Sequence, residues 1–182
     1  MLLVDLGFAS AQIDDPARGL SFRLDGPLDM RLDPEGDLTA GALVARGSED
    51  ELTEIIGAYG EERRARTVAR KIVEARARQP IISTAQLARI VRSALPPSPR
   101  GRKSIDPATR TFQGLRIAVN DELGSLERLL SAIEDAARAR AEGRFGDGGA
   151  WLDAGARVAV IAFHRLGDRP VKQWFGRLAG GG

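Results

Sequence analysis

Three sets of residues in this sequence could do chemistry: an acid near the end of one apolar run, a single histidine closing another, and arginines spaced through three dense segments. Asp5 belongs to the run LLVDL at 2–6, just before Gly7. Open α/β sheets gather ligands at the carboxyl ends of their strands, so an acid here is a natural site residue. Its carboxylate can accept a hydrogen bond and stabilise charge as it shifts. The plainer reading is an acid that caps a turn. His164 follows RVAVIAF and is the only histidine. Alone at a strand end, a histidine more often packs or hydrogen-bonds than catalyses. One histidine without a cysteine gives no ligand spacing, so no metal site is expected.

The arginines fall at Arg18, Arg23 and Arg31 in RGLSFRLDGPLDMRLDP, and at Arg110 and Arg116 in DPATRTFQGLRIAVNDEL. Arg169, with Lys172, lies in VAVIAFHRLGDRPVK. A guanidinium is a planar fork that fits phosphates and base edges. Phe8, Phe22 and Phe112 could stack on a base, although core packing is the commoner fate of an aromatic ring. Arg23 with Asp25, and Arg31 with Asp29 or Asp33, could equally be internal ion pairs that fasten the loop.

The elements that must position these groups can be read from period and punctuation. Leu2 to Leu6 and Arg157 to Phe163 read as buried strands. Between residues 18 and 34, Leu20, Phe22, Leu24, Leu28, Met30 and Leu32 recur at alternate or near-alternate positions, while Gly19, Gly26, Pro27 and Pro34 forbid a long helix. A loop this apolar must be held against something, and ordered loops on a scaffold commonly carry function. Thr39 to Val44 and Glu49 to Tyr59 look helical, with Ser48 and Glu51 spaced as a capping box. Glu61 to Arg78 is amphipathic and ends at Pro80. Ser83 or Thr84 caps a helix through Leu87, Ile90, Val91 and Leu95. A basic, proline-rich linker, PPSPRGRKS, spans 96–104. Thr111 to Arg140 reads as one long or broken helix, followed by glycines at 143, 146, 148 and 149. Gly146-Asp147-Gly148-Gly149 follows a polar helix end rather than a strand, so it is not read as a nucleotide loop.

Composition sets the class. An apolar fraction of 43% suffices for a core. The absence of cysteine agrees with a reducing cytoplasm. No long apolar run suggests a transmembrane helix, so no membrane partner is expected. Net charge is only +2, but of 27 basic residues only Lys71, Lys103 and Lys172 are lysines. An arginine-rich genome would give the same bias, so position rather than charge has to argue for nucleic acid.

These segments, together with VDLGFASAQID at 4–14, resemble the MraW/RsmH family of bacterial methyltransferases. The resemblance runs through nearly the whole chain. It implies transfer of a methyl group from S-adenosylmethionine to the amino nitrogen of a cytosine in 16S ribosomal RNA, with the small ribosomal subunit as partner and a homodimer left open. It implies an α/β fold: a partial Rossmann-like methyltransferase domain from 1–34 and 105–182, with a helical insertion domain at 35–104. By resemblance Asp5 and Gln12 touch the cofactor, Asp5 and His164 lie at the catalytic cleft, and Arg18, Arg23, Arg31, Arg110, Arg116, Arg169 and Lys172 contact RNA. FHRLGDRPVK departs from the family's FHSLEDRIVK at Arg165, Gly167 and Pro170, and Asp106 stands where the family usually has histidine. The family also begins with a glycine-rich cofactor loop and ends with a basic tail, neither of which is in this sequence. Poor binding of S-adenosylmethionine by this chain alone is therefore expected. The rival expectations are a non-catalytic RNA-binding or assembly protein, and the product of an incomplete gene model.

Overall fold

Alternating exposure along Leu2–Leu6 and a β-branched run at Val158–Ala162 give two strands, β1 and β2, that pair in parallel with Leu2 opposite Val158 and Leu6 opposite Ala162. The computed structural model describes residues 1–7, 10–95, 105–144, 151–162 and 165–179. In order these hold β1, α1 (Ser10–Asp14), α2 (Ala40–Arg46), α3 (Glu49–Glu54), a π-turn at Ile55–Tyr59, α4 (Ala65–Arg76), α5 (Thr84–Ala94), α6 (Ala108–Val119), α7 (Glu122–Ala141), β2 and α8 (Arg165–Ala179). No described helix is long and apolar enough to cross a membrane.

The chain divides into two compact units, Met1–Gly7 with Glu122–Gly182, and Phe8–Asp121. In the first, Leu126, Leu130 and Ile133 of α7 and Val171 and Trp174 of α8 bury against Leu2, Leu6, Val158 and Val160. Leu3 and Ile161, on alternate strand positions, stay 58% and 43% exposed. Asp5 shares that exposed face, because side chains two apart on a strand point the same way.

The second unit is helical. Ala65, Val68, Ala69 and Ile72 of α4 meet Leu87, Ala88 and Val91 of α5, with Leu52, Ile56, Phe112 and Leu115 closing the core. The expected capping box of Ser48 with Glu51 forms, and Ser83, one of two cap candidates for α5, makes a second box with Gln86. Gly60 and Gly114 let α6 approach the π-turn so closely that an added methyl on Gly60 would meet the Arg110 carbonyl at 2.4 Å.

Of the two readings of Thr111 to Arg140, one long helix or a broken one, the broken one forms: α6 ends at Val119, and Asp121 takes a left-handed φ of 44° before α7. One grouping from the sequence changes. Residues 18–34 and α6, grouped by the sequence with the sheet, pack instead inside the helical unit, because Leu28, Met30, Phe112 and Leu115 belong to its core. The linker at 96–104 and the glycines at 146–149 lie outside the described residues.

Candidate nucleic-acid interface

The loop from Arg18 to Pro34 has almost no regular structure, yet much of its backbone is bonded, above all from Gly26 to Leu32. Leu28 and Met30 send their side chains into the core at 4% and 0% exposure, while Leu20, Phe22 and Leu32 are half-buried; Leu24 is the exception, facing solvent. The carbonyls of Asp29 and Leu28 accept from the N–H groups of Ala40 and Gly41, at 2.7 and 2.6 Å, and so satisfy the open N-terminus of α2. The start of α5 is tied in the same way. Asp25 accepts from Ala85 N–H at 3.0 Å, the Thr84 hydroxyl accepts from Gly26 N–H at 3.1 Å, and Gly26 C=O accepts from Thr84 N–H at 3.0 Å.

Arg31 is turned inward. Its Nε and Nη2 fork onto Asp29 at 2.9 and 2.8 Å, and Nη1 donates to the carbonyls of Pro34 and Gly36. Of the two uses open to Arg31, this geometry favours fastening the loop. Arg23 differs: its guanidinium makes no hydrogen bond or ion pair with the described residues, and Asp25 serves α5 instead of Arg23. Arg18 reaches the Leu32 carbonyl through Nη1 at 3.3 Å and lies 3.9 Å from Asp15. Arg110 stands 3.6 Å from Glu62, with its side chain half exposed.

Phe22 and Phe112 meet edge to face, with centroids 4.8 Å apart. Phe112 is a core residue, so only Phe22 keeps accessible ring surface. Over that ring lies the Arg92 guanidinium, 5.4 Å from the centroid, held by a forked ion pair to Asp106 with Nη2 at 2.8 Å. Arg92 drew no notice in the sequence. Its only signal is a basic residue in the last turn of a helix, while its partner lies beyond the linker.

Three carboxyls of this unit are held below the ordinary carboxylate range: Asp29 by the Arg31 fork, Asp106 by Arg92, and Asp25 chiefly by the Ala85 N–H. A carboxyl with a depressed folded pKa contributes stability above its unfolded pKa and loses it as pH falls through the folded value. The helical unit is therefore expected to lose stability below about pH 4. Asp29→Asn and Asp106→Asn should each flatten the dependence of the urea midpoint on pH in that window; an unchanged acid limb would remove these pairs as its cause.

The remaining sequence candidates are spread over the chain. Gln12 is half-buried in α1, and Arg116 half-buried in α6, within the helical unit. Asp5, Arg169 and Lys172 belong to the sheet unit; Arg169 is exposed, and Lys172 pairs with Asp168 at 2.7 Å. His164 and Phe8 lie outside the described residues. Among the described residues no group of acids or histidines could hold a metal ion.

A family model described as the MraW methylase family matches residues 1–180. The chain belongs to the MraW methylase family. Its similar curated relatives are named ribosomal RNA small subunit methyltransferase H. The protein of Oleidesulfovibrio alaskensis is 51% identical over 95% of this chain and 49% of its own length. That of Granulibacter bethesdensis is 48% identical over 98% of this chain and 48% of its own length, and that of Synechococcus sp. is 50% identical over 96% and 53%. The chain spans about half the length of the curated relatives it matches.

Proposed function

We propose that this chain carries the substrate side of an S-adenosylmethionine-dependent methyltransferase that modifies the exocyclic amine of a cytosine in 16S ribosomal RNA. Membership of the MraW methylase family supports the reaction class. The observation that carries the RNA side is Arg23, an exposed guanidinium that bonds none of the described residues, on a loop whose backbone is fixed to α2 and α5. A phosphate can take the free fork while the loop holds its direction. Arg18, Arg110 and Arg116 are further candidates for RNA contact in the helical unit, Arg169 and Lys172 are candidates in the sheet unit, and Phe22 offers a partly open ring to a base.

The residues on β1 fit part of the cofactor. Asp5, next to last in a parallel strand and on its exposed face, offers a carboxylate to a hydroxyl or ammonium group. By resemblance, Gln12 also touches the cofactor and His164 takes part in catalysis. When bound, S-adenosylmethionine supplies an electrophilic methyl group on sulfur. The protein's share is to bring the amine into line, to accept its hydrogen bond and to keep water away.

The test is the salt dependence of binding to a 16S rRNA fragment from the decoding region. Affinity should fall as salt rises, and Arg23→Ala should lower the slope of log affinity against log salt by about one. The full-length protein should then place a methyl group on a cytosine amine, read by mass spectrometry of the digested RNA. Methylation at a ring carbon or ribose would overturn the target. RNA binding without any methyl transfer would support an assembly role instead.

A further inference from the structure

The side chain of Asn120 is fully engaged, and all three of its bonds serve backbone. Its Oδ1 accepts from Leu32 N–H at 2.7 Å, and its Nδ2 donates to the carbonyls of Met30 and Arg116, each at 2.8 Å. The amide thus pairs with the loop as a neighbouring strand would, gripping the peptides on both sides of Arg31. The first of those grips falls on Met30, left-handed at φ 66° with a fully buried side chain. A non-glycine residue keeps that conformation only where its surroundings over-determine it.

The same two loop residues also hold Arg18. Met30 N–H donates to the Arg18 carbonyl at 2.9 Å, and the Leu32 carbonyl accepts from Arg18 Nη1 at 3.3 Å. Each residue that Asn120 grips by one backbone group therefore holds Arg18 by its other. Alanine at 120 would leave the Met30 carbonyl and the Leu32 N–H unpaired. Aspartate would keep the shape but set an oxygen against two carbonyls, where the amide donates.

We propose that Asn120 is a positioning residue for RNA binding that acts through Arg18, by way of the backbone of Met30 and Leu32. This rests on reading the loop as the RNA surface. The experiment is a double-mutant cycle on the whole chain with the same 16S rRNA fragment, at a temperature where urea curves show every variant folded. Asn120→Ala and Asn120→Asp should each weaken binding about tenfold, as should Arg18→Ala. In the Arg18→Ala background the Asn120 changes should cost less than about twofold more, since the contact they position is already gone. Their cost in urea midpoint should persist in that background, and a merely structural role for Asn120 would not separate the two readouts. Additive losses in affinity would overturn the proposal. So would an Arg18→Ala variant that binds RNA normally, and in that case a lowered salt slope in Arg23→Ala would leave the RNA reading standing. Absence of binding by the parent chain would sink both.

Discussion

Gly19→Ala is expected to destabilise the helical unit by about 3 kcal/mol, whereas Gly143→Ala, at nearly the same dihedral, should cost about 1 kcal/mol. The two glycines have φ of 63° and 71°, so the strain an L side chain suffers there is alike. They differ in space. A methyl on Gly19 would lie 2.1 Å from the Pro27 carbonyl oxygen, while one on Gly143 meets nothing within 4 Å. The Pro27 carbonyl is backbone and cannot swing aside, because Leu28 beside it is bonded to Ile82 and Gly41. Gly26→Ala should behave like Gly19→Ala, since its methyl would fall 2.0 Å from the Pro16 carbonyl. Against a typical domain stability of about 5–15 kcal/mol, either change removes a large share. Urea unfolding of the three variants checks this; equal costs at Gly19 and Gly143 would mean that the crossing of loop backbones is looser than described.

Phe112→Ala carries the second large effect, about 3–4 kcal/mol. The ring is 4% exposed among helical-unit core residues. It also supports Phe22 edge to face, and Phe22 supports the Arg92 guanidinium. The loss should therefore spread beyond the cavity. Phe112→Leu, which keeps most of the volume but no ring edge, should cost well under half as much. Comparing both variants with Phe22→Ala in urea melts separates the cavity from the ring contact. If Phe112→Leu and Phe112→Ala were equally damaging, the aromatic pair rather than the filled volume would hold the loop down.

What could be read in the letters followed physical range. Ser48 with Glu51, and Ser83 near Gln86, announce helix starts because a capping box closes within four residues. The apolar run from Leu2 to Leu6 announces a strand, though not the buried one expected, since Leu3 and Asp5 are exposed. The apolar rhythm from Leu20 to Leu32 correctly demands burial, though it misjudges Leu24. Less visible were partners separated by long stretches of chain. Asp25 reads as a mate for Arg23, two residues away, yet it bonds Ala85; nothing local in either residue says so. Asn120 lies unremarked inside the Thr111 to Arg140 stretch, and its grip on Met30 and Leu32 depends on a fold in which residues 90 and 88 positions apart meet. The place of α6 was missed for a related reason: its motif resembles the segments of the sheet unit, but Phe112 and Leu115 find their apolar neighbours among the helices.

That long reach has a kinetic consequence. Asp25 waits for a partner 60 residues further on, and Leu32 for one 88 residues further on. Helices α3, α4 and α5 are near neighbours in sequence and can assemble early, whereas the segment bearing Arg18 and Arg23 closes last, since distant contacts are rewarded only after the intervening chain is gathered. During synthesis at about 5–20 residues per second, Leu32 leaves the ribosome roughly 4–18 s before Asn120 does. For that interval Leu28 and Met30 are bare apolar side chains on a nascent polypeptide, and sheltering them falls to chaperones rather than to the fold.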